Sequence, residues 1–162
     1  MLDAEAIAVP ARIVALVVCA LVLTACGPAE PLTHAELVER ADAICSHAFA
    51  QVREIGADLP EPDAASVGRW ADALDRTTPI LEGMVNDLRD LEPPPADREG
   101  FDALLAAYDL ELKALEEVRT AAEAGDPDGM SEPSEDATFA WIDADHVASR
   151  LGLEGCRLLG ED

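Results

Sequence analysis

The sequence predicts an all-α protein in which four helices form an up-down-up-down bundle. Hydrophobic residues make up 49% of the 162-residue chain, aromatic residues only 4%, and alanine is the commonest residue. Chains rich in alanine with few β-branched runs favour helix. Apolar residues recur at steps of three and four in four segments, and connectors rich in proline or glycine separate those segments.

An apolar run over residues 13–25 precedes the helices. It is shorter than the roughly 20 residues that span a bilayer as a helix. With Arg12 before it, it has the length of the apolar part of a secretory signal peptide. Its end, Leu23-Thr24-Ala25-Cys26, resembles the lipobox of bacterial lipoproteins at all four positions. The resemblance implies that signal peptidase recognises Leu23, Thr24 and Ala25, and that Cys26 is the lipidation site.

In such proteins the cysteine thiol receives a diacylglyceryl group, and the signal peptidase cleaves before it. We therefore expect a lipoprotein signal peptide over residues 1–25, a lipidated Cys26 and tether over 26–32, and a helical bundle domain over 33–162. Fatty chains such as palmitate would anchor the protein stably, because two acyl chains suffice where one is marginal. The expected location is the extracytoplasmic face of the cell membrane.

Two alternatives remain for this segment, an ordinary signal peptide with an incidental cysteine and an uncleaved anchor. Asp3 and Glu5 are unusual in a signal peptide, whose start is normally basic. Translation from a downstream start, for example Val9, would remove both acidic residues.

The first helix is expected to begin at Thr33, which forms a capping box with Glu36, and to end near Gly56. Its apolar stripe places Cys45 on the core side. The second is expected over about 63–91, with a kink at Pro79, and the third over about 96–124. Both segments show helical apolar spacing, and the prolines at 93–95 lie between them.

The fourth helix is expected over about 135–153, with Ser134 as its N-terminal cap. Its predicted core stripe contains Phe139, Ile142, Val147 and Leu151, and Trp141, Ala144 and Ala148 widen it. In an up-down-up-down bundle the end of this helix lies beside the start of the first.

The four cysteines have different expected fates. Cys19 leaves with the signal peptide and Cys26 is lipidated, so Cys45 and Cys156 remain in an exported chain, where oxidation is the default. A Cys45–Cys156 disulfide is the favoured prediction, and two buried free thiols are the alternative. The bundle topology agrees with the disulfide, because Cys156 follows the fourth helix.

Three stretches extend the resemblance beyond the lipobox. They are ADAICSHAF at 41–49, LEPPPADREGFDALL at 91–105 and ASRLGLEGC at 148–156. Together they resemble a group of small actinobacterial lipoproteins of uncharacterised function. The resemblance implies a fold and a mode of anchoring, and no activity.

Composition excludes some partners. With 34 acidic and 11 basic residues, the net charge is −23. Phosphate backbones would repel such a chain, so we expect no nucleic acid partner, and no basic cluster suits anionic lipid. We expect the protein to contact the membrane through the N-terminal lipid, and an acidic, solvated surface to favour a monomer.

Candidate chemical motifs are incomplete. Asp143 and His146 supply one acid-to-histidine pair, whereas a di-iron bundle needs two such motifs and further carboxylates. Residues 124–135 match half of a calcium loop. Met84 and His146 lack the C-x-x-C-H motif of a covalent haem. We therefore expect no catalytic residue, metal or cofactor.

The sequence thus predicts a non-enzymatic module for cell-envelope interaction or scaffolding, with an envelope protein as a possible partner. The alternative is a carrier of a small apolar ligand bound between the helices.

Overall fold

The computed structural model describes residues 30–157, and the predictions for residues 1–25 and for Cys26 therefore lie outside the described residues. Within 30–157 the chain forms four α-helices and no strand, so the all-α class is confirmed. The helices are α1 (His34–Gly56), α2 (Val67–Arg89), α3 (Arg98–Glu123) and α4 (Ser131–Leu151). Two 3₁₀ turns, Asp128–Met130 and Glu154–Cys156, precede and follow α4.

The start of α1 has the predicted capping box. The backbone N–H of Glu36 donates to Thr33 Oγ1 at 3.3 Å, and that of Thr33 donates to Glu36 Oε2 at 2.9 Å. The Thr33 hydroxyl also donates to Glu36 Oε2, at 2.7 Å, and the bonds from the Thr33 N–H and hydroxyl to this carboxylate lower the pKa of Glu36. His34 Nδ1 lies 2.8 Å from Asp97 Oδ2, which ties this end of α1 to the start of α3.

The helices pack mainly in chain order, α1 on α2, α2 on α3, and most extensively α3 on α4. Two apolar cores result. The main core includes residues from all four helices and the last 3₁₀ turn. The smaller core joins α2, α3 and the turn before α4, and its buried members are Val67, Leu74, Val118, Ala122 and Met130.

The prediction for the start of α4 is wrong by one turn. The helix begins at Ser131, directly after a 3₁₀ turn, and Ser134 lies inside it, where its hydroxyl donates to Met130 O at 2.7 Å. Pro133 is tolerated there because N–H groups of the first helical turn need no intrahelical partner.

The predicted core face of α4 is also partly wrong. Phe139 is 64% exposed, and the face toward the other helices consists largely of small residues. Alanine has no side chain beyond Cβ, so the backbones of α3 and α4 approach closely along this face. The buried residues of α4 are Ala137, Ala140, Ala144, Asp145, Val147, Ala148 and Leu151.

The predicted Cys45–Cys156 disulfide is present, with Cα atoms 4.8 Å apart. Its geometry depends on the turn after α4. Gly152 adopts φ +71°, and Leu153 N–H donates to Ala148 O at 2.9 Å, so the helix ends in a Schellman motif. The turn then packs on α1 so closely that a Cβ on Gly155 would lie 2.5 Å from Asp42 O.

None of the helices described between residues 30 and 157 combines the length and apolarity needed to cross a bilayer.

Candidate functional site

A groove of about 360 Å³ opens between α2, α3 and α4, beside the smaller core. We call it the tryptophan groove, because both tryptophans of the chain line it. Its volume lies at the low end of small-molecule sites, which occupy about 300–1,000 Å³. The lining residues are Trp70, Leu74, Glu111, Leu115, Val118, Ser134, Ala137, Thr138 and Trp141.

Trp70 is held in place from both sides. Its ring packs against the smaller core, and its indole N–H donates to Pro60 O at 2.9 Å. The connector between α1 and α2 therefore fixes one wall of the groove. That donor is already used, so this indole offers its π surface and not a free N–H.

The two hydroxyl groups of the groove also donate their protons within the protein. Ser134 donates to Met130 O, and Thr138 donates to Ser134 O at 2.8 Å, each bonding a carbonyl of its own helical region. Among the lining residues described, Glu111 is then the ionisable one, and it forms no hydrogen bond or ion pair within residues 30–157.

Burial raises the pKa of Glu111 to about 7. No neighbouring charge contributes to this shift, since removal of the carboxylate from water is its cause. Glu111 is partly exposed, because the groove opens to solvent. The groove therefore presents one half-buried carboxyl among apolar and aromatic side chains, and no basic residue is among its described lining residues.

A second polar cluster lies where the C-terminal turn meets α3 and α4. Tyr108, which is 1% exposed, donates its hydroxyl proton to Cys156 O at 3.0 Å. Buried Asp145 lies 3.5 Å from Arg157 Nε, an ion pair without a hydrogen bond. Desolvation is the main cause that raises the pKa of Tyr108, so its phenol stays protonated as a donor. This cluster holds Cys156 and Arg157 against α3 and α4, and it contains no nucleophile paired with a general base.

An exposed apolar pair occupies the outer surface of α3 and α4. Leu110 is 61% exposed and Phe139 is 64% exposed, and both line a depression of about 260 Å³. Lys113 and Glu117 on one helix, and Asp136 and Asp143 on the other, also line it. An apolar centre with a charged rim is the composition of a protein-docking surface.

The structure places the residues considered from the sequence as follows. Cys45 and Cys156 are joined, whereas Leu23, Thr24, Ala25 and Cys26 lie outside the described residues. His146 is exposed on α4. In the half-matched calcium loop, Asp126 Oδ1 accepts from Gly129 N–H at 2.9 Å and so closes a turn. Within residues 30–157, no three potential ligands cluster as a metal site.

Sequence reasoning missed Glu111 and its neighbours. Glu111 falls on the apolar side of α3, three residues after Tyr108 and four before Leu115, and an acid on that stripe was the available signal. The meeting of Trp70 and Trp141 had no local signal, because it depends on how three helices pack.

Comparisons of the chain with protein-family models, curated proteins and solved structures find no match.

Proposed function

We propose that the chain is a lipid-anchored extracytoplasmic lipoprotein that serves as a non-enzymatic interaction module of the cell envelope. The lipobox at Leu23–Cys26 supports the anchor, and the Cys45–Cys156 disulfide supports an oxidising compartment. The proposed topology is an up-down-up-down bundle, which the packing of the helices in chain order supports. The proposal groups the chain with the small actinobacterial lipoproteins that its motifs resemble.

The apolar pair Leu110 and Phe139 is the observation that favours interaction as the function. Two large apolar side chains, each more than half exposed, share one depression with a charged rim. Burying such side chains against a partner gains about 1.5–3 kcal/mol each. The proposed partner is a protein of the envelope, and the contact lies on the outer face of α3 and α4.

Site-specific crosslinking tests the docking surface. A photo-crosslinking amino acid at Phe139 should yield a discrete adduct in membranes, and the same probe at exposed Ala50 on α1 should not. Leu110→Asp should abolish the adduct, because a charge disrupts the apolar centre. Equal yields from both positions, or an adduct that persists in the Leu110→Asp variant, would overturn the docking surface.

The anchor has a separate test. The protein purified from its native membrane should begin at Cys26 and carry added acyl mass. Cys26→Ser should carry no acyl mass and should keep residues 1–25, because the peptidase cleaves before the lipidated cysteine. A wild-type chain with no acyl mass would remove the anchor from the proposal.

A second candidate function is a carrier of a small apolar ligand bound between the helices. The tryptophan groove favours it, since apolar walls with one convergent polar group are typical of small-molecule sites. Native mass spectrometry of the full chain should show a co-purified small molecule that is lost when Ala137, in the groove wall, is replaced by Phe. A bare wild-type mass under gentle conditions would count against the carrier.

A further inference from the structure

The tryptophan groove contains a carboxyl group without a basic partner among its described lining residues. Glu111 is half-buried, and no Lys, Arg or His is among the described lining residues. Arg119, a basic side chain of the same helix, is already bonded to Glu116 and Glu123 and paired with Asp75. A carboxylate in such surroundings is stabilised by a cation that enters from outside.

The walls of the groove select the kind of cation. Indole is the aromatic side chain that best attracts a cation to its ring face, and attraction within about 6 Å strengthens as water is excluded. Leu74, Leu115 and Val118 add apolar surface that a hydrated metal ion would not use. The combination suits a cation attached to an apolar or aromatic body.

We propose that the tryptophan groove binds a small organic ammonium, with its charged nitrogen between the carboxyl of Glu111 and the indole face of Trp141 and its apolar body against the aliphatic wall of the groove. This inference rests on the carrier as second candidate function, and adds the chemical class of the ligand. Charge complementarity selects this occupant: a net charge of −23 concentrates cations around the chain, and Glu111 is the acid inside the groove. A neutral apolar ligand would leave that carboxylate unpaired.

Titration with two matched probes tests the inference. Phenethylammonium and phenethyl alcohol have nearly the same shape and differ in charge. The full-length chain in non-ionic detergent near neutral pH is titrated with each, and the fluorescence of its two tryptophans reports occupancy of the groove. Glu111→Gln removes the charge and keeps the shape, and Asp102→Asn, at an exposed acid on the same helix, controls for net charge.

The ammonium should bind the wild type more tightly than the alcohol does. Glu111→Gln should weaken ammonium binding about tenfold, or ~1.4 kcal/mol, and should change alcohol binding less than about threefold, since the alcohol makes no ion pair. Asp102→Asn should leave both affinities near wild type. Trp141→Leu should weaken the ammonium more than the alcohol, because it removes a ring face from a cation.

The contrary outcomes distinguish a failure of the ammonium inference from a failure of the carrier function. If alcohol and ammonium bind alike, or if Glu111→Gln leaves the ammonium affinity unchanged, the groove remains a carrier site and the ammonium inference is wrong. If neither probe alters the tryptophan signal up to millimolar concentration, both the carrier function and the ammonium inference fail.

Discussion

Glu111 shows at the scale of one residue how a half-buried carboxyl affects the stability of the fold. Its carboxyl is partly withdrawn from water and has no partner within residues 30–157. The folded protein therefore holds the proton of Glu111 more tightly than the unfolded chain does. This is a penalty on folding at neutral pH, in contrast to Glu36, whose capping bonds lower its pKa and stabilise the fold.

The sign of the Glu111 effect can be measured. Because its folded pKa of about 7 lies above the ordinary 4.5, its contribution to stability is present below about pH 4.5 and is lost as the pH rises through 7. Glu111→Gln should therefore gain stability over wild type between about pH 5 and about pH 8, by about 1–2 kcal/mol after allowance for its partial exposure. Denaturant unfolding of both proteins across this range is the test. A difference that stays constant with pH would contradict it.

Tyr108 gives a second expectation at residue scale. Tyr108→Phe keeps the buried ring but leaves Cys156 O without its donor, so unfolding should become easier by about 1–2 kcal/mol. Thr120→Ala is a fitting control, since its hydroxyl is exposed and bonds only Glu116 O in its own helix. If the two variants lost equal stability, the Tyr108 bond would have no special value.

At the scale of elements, the turn after α4 is the most constrained. Gly152 needs its positive φ to end the helix, and Gly155 needs the absence of a Cβ to lie against Asp42 O and Ser46 Oγ. Gly155 N–H also donates to Asp42 Oδ1 at 2.9 Å. Together these two glycines explain the spacing Leu-Gly-Leu-x-Gly-Cys at 151–156 in terms of backbone geometry.

The two glycines should differ in their tolerance to substitution. Gly155→Ala puts a Cβ within 2.5–2.7 Å of α1 atoms and should cost about 2–3 kcal/mol while slowing disulfide formation. Gly152→Ala meets open space and should cost only about 1 kcal/mol of strain. Thermal unfolding and the rate of thiol loss during refolding would rank them. The reverse order would show that the close approach to α1 is dispensable.

Elements also show where sequence reasoning succeeds and where it stops. The capping box at Thr33 and the core-facing position of Cys45 depend on local spacing, and both predictions are confirmed. Helical periodicity predicts Phe139 in the core. The close packing of α3 and α4 instead favours alanine on the buried face of α4, and Phe139 is exposed. The tryptophan groove needs three helices and could not follow from any local pattern.

For the whole molecule, the disulfide adds to the stability that the two apolar cores provide. It closes a loop spanning 111 residues, for which the chain-entropy argument gives roughly 4–5 kcal/mol. Cys45→Ala with Cys156→Ala should lower the free energy of unfolding by about that amount, and adding reductant to the wild type should do the same. Denaturant titration with and without reductant is the measurement. Equal midpoints would mean that the cores alone hold the fold.

The same bond closes residues 45–156 into a covalent ring. Residues 45–156, which include all of α2, α3 and α4, lie between the two joined sulfurs, and the exposed connector at 57–65 lies within that ring. A protease that cuts this connector opens the ring but releases no piece. The nicked chain would migrate as one molecule until it is reduced. Because the disulfide keeps the two parts at a high local concentration, the packing of the helices could hold them in their native arrangement.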